Sequence, residues 1–395
     1  MDYIFSKRIS GLAPSAIREI LKFTSDPEVI SFAAGNPAPE AFPIKEAQQL
    51  SKKIFELYPI DALQYGVTEG FAPLRNKLLE DMKQKHNIGK DFDGIIITSG
   101  AQQVMDLTTK ILCNEGDIII CEEPSFIGSL NCFKSYGAKL CGVKIDSDGI
   151  NLEILEQKLK EHKIARFIYT IPNFQNPSGV TMSLEKRKGL YELARKYDKI
   201  ILEDNPYGDL RVSGDPVPSI KSMDEDGRVI YAGSFSKLFS PGLRVGYAIA
   251  SNELLSKMTV GKQTSDVHTP VFSQMLVYEW LQSFDVDEHI AGMRNIYKKK
   301  IDLMCNEIDT HLSDFFTYIR PQGGLFLWAK LPQNVDMTEF CKTAVANKVA
   351  VVPGSAFMAS EDAPTQYIRL NFSTPSDDDI VKGIQILAQV AKEYK

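Results

Sequence analysis

From residue 95 onward, short uninterrupted apolar runs alternate with longer stretches of helical spacing. The runs fall at residues 95–97, 118–120, 140–145, 167–169, 200–202, 229–232 and 245–250. Between them, residues 102–113, 125–136, 152–162 and 184–197 repeat their apolar positions every three to four residues. Runs apolar at every position predict strands buried on both faces, and their alternation with helices predicts mostly parallel pairing with helical crossovers. The expectation is an α/β domain with a mostly parallel seven-stranded sheet flanked by helices. Two further helical patterns, 44–58 and 70–86, precede the first run.

Past Ser251 the pattern changes. Helices are predicted at 253–262, 271–284 and 286–309, short strands at 325–329, 349–352 and 367–372, and a closing helix at 377–395. This mixture predicts a smaller α+β domain. The N-terminal segment offers one helix, 15–23, opened by Pro14 and Ser15. It leads into the loop Ser31-Phe32-Ala33-Ala34-Gly35-Asn36-Pro37-Ala38-Pro39, whose prolines favour extended backbone and whose composition suits a binding-site wall. The division expected is 1–43 as an N-terminal segment shared with the small domain, 44–285 as the large domain and 286–395 as the small one.

Composition narrows the function classes. With 44% hydrophobic and 24% charged residues and a net charge of −6, the chain has no electrostatic footprint for nucleic acid or a membrane surface. Residues 1–10 carry no apolar stretch followed by a small-residue cleavage site, and no apolar run approaches the ~20 residues of a spanning helix. The six cysteines form no C-x-x-C pair, so they are read as small buried hydrophobes in a reducing compartment, and a cytoplasmic protein is expected. No two glycines are separated by a single residue, which removes G-x-G-x-x-G; a P-loop and H-E-x-x-H are missing too. No metal site is expected.

The remaining chemistry gathers where predicted strands end. Gly233-Ser234-Phe235-Ser236-Lys237 leaves the 229–232 run, and Arg244 precedes the next one. Two hydroxyls and a planar guanidinium suit a phosphate. A lysine beside that arginine has its ammonium form disfavoured, which makes it a nucleophile toward an aldehyde. Thr98-Ser99-Gly100-Ala101-Gln102 ends the first run and opens a helix, whose free N–H groups form an anion site. Phe126 has a flat face for an aromatic ligand. Asn176 stands before Pro177, and Asp204 lies at the lip of its strand with Tyr207 close behind. A buried carboxylate needs a cationic or N–H partner, and a protonated ring nitrogen is a natural one. In 367–372, alternation puts Arg369 on the face opposite Ile368, Leu370 and Phe372.

The order S-G-A-Q, aromatic, N-P-S-G, D-x-x-Y, S-x-S-K and arginine resembles that of class I/II pyridoxal-phosphate-dependent aminotransferases, the aspartate-aminotransferase fold. The chain looks most like the branch with 2-aminoadipate and kynurenine aminotransferases and the aminotransferase-like halves of some bacterial regulators. The resemblance implies a fold type I enzyme with pyridoxal 5'-phosphate on Lys237, Asp204 facing the ring nitrogen, Asn176 and Tyr207 at the ring oxygen, and Phe126 stacked on the ring. Gly100, Ala101, Gln102, Ser234, Ser236 and Arg244 would hold the phosphate, with Tyr65 reaching it from the partner subunit of a homodimer. Gly35, Asn176 and Arg369 would meet the substrate, Arg369 at its α-carboxylate, and Arg18 is a candidate for acidic side chains. Phe126 stands where relatives often carry tyrosine, and Ala101 where serine is frequent.

The activity implied is transfer of an amino group from an L-amino acid, aromatic, 2-aminoadipate-like or branched, to a 2-oxo acid such as 2-oxoglutarate. A C–S or C–C lyase on the same fold is an alternative with the same cofactor residues. A non-catalytic pyridoxal-phosphate sensor is another; in this branch it carries a DNA-binding domain, for which the residues before Gly35 leave no room.

Overall fold

The computed structural model describes residues 3–10, 12, 26–360 and 363–394. After a two-residue strand, β1 (Ile30–Ser31), the main sheet is built from β2 (Asp93–Ser99), β3 (Ile118–Glu123), β4 (Lys139–Asp146), β5 (Gly149–Ile150), β6 (Phe167–Thr170), β7 (Ile200–Asp204), β8 (Val229–Ser234) and β9 (Val245–Ser251). Its order is β2-β9-β8-β7-β6-β3-β4-β5. β4, β3, β6, β7 and β8 pair in parallel, whereas β9 runs antiparallel to both β8 and β2. The sheet thus has eight strands where seven were expected. The eighth, β5, is a two-residue hairpin return on β4, too short to leave a periodic signal.

The isoleucines of β2 show why these runs become strands. Ile95, Ile96 and Ile97 are buried on both faces of the sheet, each side chain contributing ~1.5–3 kcal/mol of apolar burial. Helices Ala101–Leu112, Ile127–Ser135, Leu152–Glu161 and Leu184–Lys196 form the crossovers, within a residue or two of the periodicity. Between β8 and β9 there is no crossover helix, only loop and a short 3-10 turn, Pro241–Leu243. The chain therefore reverses, and β9 starts at the edge of the sheet where β2 and β8 end: Val245 pairs with Ser99 and Gly246 with Ser234. The sequence pattern did not reveal this reversal, which brings Arg244 beside Ser99 and Ser234.

The C-terminal part carries an antiparallel sheet of β10 (Thr317–Tyr318), β11 (Phe326–Lys330), β13 (Val352–Pro353) and β14 (Tyr367–Asn371), in the order β10-β11-β14-β13. β12 (Val349–Ala350) pairs in parallel with β1, and Asn371 donates its N–H to the Phe32 carbonyl at 2.8 Å, so the N-terminal segment is tied to this sheet. The single run at 349–352 is split into β12 and β13. Helix Met337–Ala346, which the sequence reading missed, starts at Asp336, whose carboxylate accepts from the N–H groups of Thr338 and Glu339. Helix Val286–His311 ends two residues beyond the expected 309. The helix expected at 15–23 lies outside the described residues. Among those described, no helix is long and apolar enough to cross a membrane.

Candidate active site

The strand ends converge on a cavity of about 300 Å³ between the large sheet and β11/β14. At one end is an anion cradle. Gly100, with φ +75°, caps helix Ala101–Leu112; the Gln103 N–H turns back to the Gly100 carbonyl, and the N–H groups of Ala101 and Gln102 meet no side-chain cap. A Cβ on Gly100 would lie 2.3 Å from Arg244 Nη2, so only glycine admits the guanidinium there. Arg244 has a left-handed backbone (φ 55°), and its two terminal nitrogens donate to the Ser99 and Pro241 carbonyls at 3.2 Å. Ser234 Oγ accepts the Ser236 N–H at 3.1 Å, which folds that loop so that both serines line the cavity. The Gln102 side chain is committed to the Gly128 carbonyl, leaving its main chain to the cradle.

Lys237 projects from this loop, and its amine donates to the Gly35 carbonyl at 2.7 Å. Its pKa is lowered to about 8, first by burial and then by the charges of Arg244 and Arg369. The sequence reading named Arg244 and a partly dry pocket as causes; desolvation is the larger, and Arg369 adds to it. Asp204, at the end of β7, accepts from the Tyr169 hydroxyl on Oδ2 at 2.8 Å, while its buried Oδ1 has no hydrogen-bond partner among the described residues. Burial raises its pKa to about 7, with the Tyr169 bond acting in the opposite direction. Asn176 donates to the Tyr207 hydroxyl at 3.4 Å, and burial pushes the Tyr207 phenol up.

Arg369 is buried within β14. It donates from Nη1 to Asn176 Oδ1 at 2.9 Å and from Nη2 to the Ala33 carbonyl at 2.7 Å, and Nε has no partner among the described residues. Its guanidinium carbon sits 4.2 Å from the ring centroid of Phe326 and 4.8 Å from that of Phe357. Burial lowers its pKa to about 9, opposed by the Tyr207 phenol and by no carboxylate among the described residues. A charge so placed favours an anionic ligand.

Gly35, Ala101, Gln102, Phe126, Asn176, Asp204, Tyr207, Ser234, Ser236, Lys237, Arg244 and Arg369 therefore line one cavity, with Gly100 against Arg244. Tyr65 is not among them: it is 82% exposed, its ring edge on His268 at 5.7 Å. Arg18 lies outside the described residues. Sequence reasoning missed Ser129 and Ile171 in the cavity wall, Phe326 and Phe357 on Arg369, and Tyr169 behind Asp204. Tyr169 left a readable signal, since a tyrosine in a wholly apolar buried run needs a partner for its hydroxyl. Glu122 was missed as well. It is buried and accepts from Thr170, the Ile171 N–H and Gln175, bracing the loop that carries Asn176.

Residues 27–387 match the family model "Aminotransferase class I and II". The chain is 42% identical, over 100% of its length and 95% of the relative's, to aromatic-amino-acid aminotransferase 1 of Thermococcus litoralis. The crystal structure of Pyrococcus horikoshii kynurenine aminotransferase, in complex with PMP, superposes with a TM-score of 0.95 at 39% identity, covering 98% of this chain and 97% of that one. LysN, the α-aminoadipate aminotransferase of Thermus thermophilus, complexed with N-(5'-phosphopyridoxyl)-L-leucine, gives 0.91 at 35% identity, covering 99% and 97%.

Proposed function

This chain belongs to the class I and II aminotransferases, and on that premise we propose that it moves the amino group of an aromatic, 2-aminoadipate-like or branched L-amino acid to 2-oxoglutarate. The observation that carries this reading is the convergence of an amine of lowered pKa, a half-paired buried carboxylate and a buried arginine on one cavity. The donor classes are supported by the relatives' names, and Arg369 suits the α-carboxylate of any donor or acceptor.

The cofactor is pyridoxal 5'-phosphate, and the residues fit it. Asp204 Oδ1 is a buried acceptor lacking an N–H donor, and the cradle of Gly100, Ser234, Ser236 and Arg244 offers the N–H, hydroxyl and guanidinium donors a phosphate needs. When bound, this group supplies an electron sink for the pair of electrons released as a bond at the substrate Cα breaks. Asp204, as an anion, would hold the ring nitrogen protonated. Asn176 and Tyr207 would bond the ring oxygen, and Phe126 would stack against the ring. Arg369, with Asn176, clamps the substrate carboxylate and so turns the Cα–H toward Lys237. Lys237, with a pKa of about 8, is the residue that would take and carry the proton released from Cα, a role that needs a base poised near the working pH.

We further place a second copy of the chain against the face bearing Tyr65. Ile60, Leu63, Tyr65 and Val67 are all strongly exposed there, and a Tyr65 hydroxyl that reaches a phosphate must come from the partner. Arg18 is kept as the residue that reads an acidic side chain. Steady-state rates for aromatic, acidic and branched donors, measured on the wild type and on Arg18→Ala, test these assignments. Arg18→Ala should lower kcat/KM for the acidic donor alone, and an equal loss for all donors removes Arg18 from specificity.

A further inference from the structure

We propose that Ser129 and Tyr169 are positioning residues for this reaction, forming a buried one-way hydrogen-bond chain that keeps Asp204 ionised with one oxygen free for the ring nitrogen. The proposal rests on the reading of Asp204 given above and adds to it two residues with no assigned role.

The direction of the chain follows from the count of protons. Tyr169 Oη lies 2.8 Å from Asp204 Oδ2 and 2.8 Å from Ser129 Oγ. A phenol carries one proton. With that proton on Oδ2, Tyr169 accepts the Ser129 proton, and each link is satisfied. A proton placed on Oδ2 would have to be accepted by Tyr169, which would then have to turn its own proton to Ser129. The relay therefore opposes protonation of Asp204 at the oxygen it touches, and it leaves Oδ1 as the acceptor with no partner in the chain.

The fold holds this geometry rigidly. Tyr169 is on β6 and Asp204 on the adjacent parallel β7, so the two side chains leave neighbouring strands toward the same face. All three residues are buried. Helix Ile127–Ser135 supplies both Ser129 and Phe133, whose ring meets the Tyr169 ring edge-on at 5.2 Å and fixes its tilt. The same helix begins beside Phe126, so ring stacking and carboxylate orientation are set by one element. The other acidic groups near Asp204, Glu122 and the Tyr207 phenol, do nothing to favour its charge. Burial pushes the carboxyl up and the Tyr169 bond is the one influence acting against it, the two together leaving it at about 7. Without that bond the carboxyl moves further up and a larger share of Asp204 is neutral at pH 7, and a neutral carboxyl no longer holds the ring nitrogen protonated.

The test is a coupling measurement on Tyr169→Phe, Ser129→Ala, Asp204→Asn and the double variant Tyr169→Phe/Asp204→Asn. The readouts are the dissociation constant of pyridoxal 5'-phosphate from the stripped protein by equilibrium dialysis, then kcat and KM. Tyr169→Phe should raise that dissociation constant about tenfold, as loss of a hydrogen bond to a charged group does, and lower kcat with donor KM within about twofold. Ser129→Ala should move both in the same direction by less, and it carries the test should Tyr169→Phe not fold. In the Asp204→Asn background, Tyr169→Phe should change nothing further. An unchanged dissociation constant in both single variants, or an undiminished Tyr169→Phe effect in the Asp204→Asn background, overturns the relay. A wild-type protein that binds no pyridoxal 5'-phosphate instead overturns the reading beneath it.

Discussion

Replacing Lys237 by methionine in the cofactor-free protein should stabilise the fold at neutral pH, and the gain should disappear as the pH rises. The folded-state pKa of about 8 lies below the ordinary 10.5, so between these values the unfolded chain holds a proton that the folded chain has released. Wild-type stability therefore rises with pH through that window, and below it the buried ammonium is a standing cost. A difference of about 2.5, at roughly 1.36 kcal/mol each, gives ~3 kcal/mol, reduced toward ~2 because Lys237 keeps some contact with the open cavity and bonds the Gly35 carbonyl. For a chain of 395 residues this is about 3 °C in Tm. Thermal denaturation of both proteins at pH 7, 9 and 10.5 measures it. Lys237→Met should melt about 3 °C higher at pH 7, with the gap closing by pH 10.5. A gap of constant size across the series, or a wild type more stable at pH 7, would show that Lys237 is not held as a weakened base.

Arg369→Lys removes the planar fork that reaches both Asn176 and the Ala33 carbonyl, and kcat/KM should fall about 10–100-fold for every α-amino donor. A loss confined to one donor class would mean that Arg369 reads side chains instead of the shared carboxylate. Gly100→Ala sets a methyl group 2.3 Å from Arg244 Nη2 on a backbone with φ +75°, so the cradle must shift. Cofactor affinity in equilibrium dialysis should drop at least about tenfold, and a variant that retains wild-type affinity would detach Arg244 and the helix start from the phosphate.

The large sheet was legible because its strands are buried on both faces, and wholly apolar runs such as 95–97 and 229–232 admit few other readings. What escaped was set by packing between elements. The reversal into β9 depends on a loop that turns at Pro241–Leu243, and nothing in the apolar run 245–250 marks its direction. β5, two residues long, has no period to read. In the site, Lys237, Asp204 and Arg244 were visible as polar residues at strand ends, but the groups that govern them were hidden as core positions. Phe326 and Phe357, which flank Arg369, look like any other buried aromatics in the chain. Tyr169 reads as one more member of its strand until its hydroxyl is found on Asp204. Tyr65 shows the opposite limit: its exposed position is plain, and its place relative to a phosphate depends on a second subunit.

The central claim is tested most directly by following the absorbance of the cofactor-loaded protein during two additions, first an L-amino acid without acceptor and then 2-oxoglutarate. The band of the lysine-held aldehyde form should give way to that of the amine form with one equivalent of 2-oxo acid released, and 2-oxoglutarate should restore it. Lys237→Ala should show neither change. A wild-type band that no amino acid converts, or ammonia released without any acceptor, would contradict amino transfer at this site.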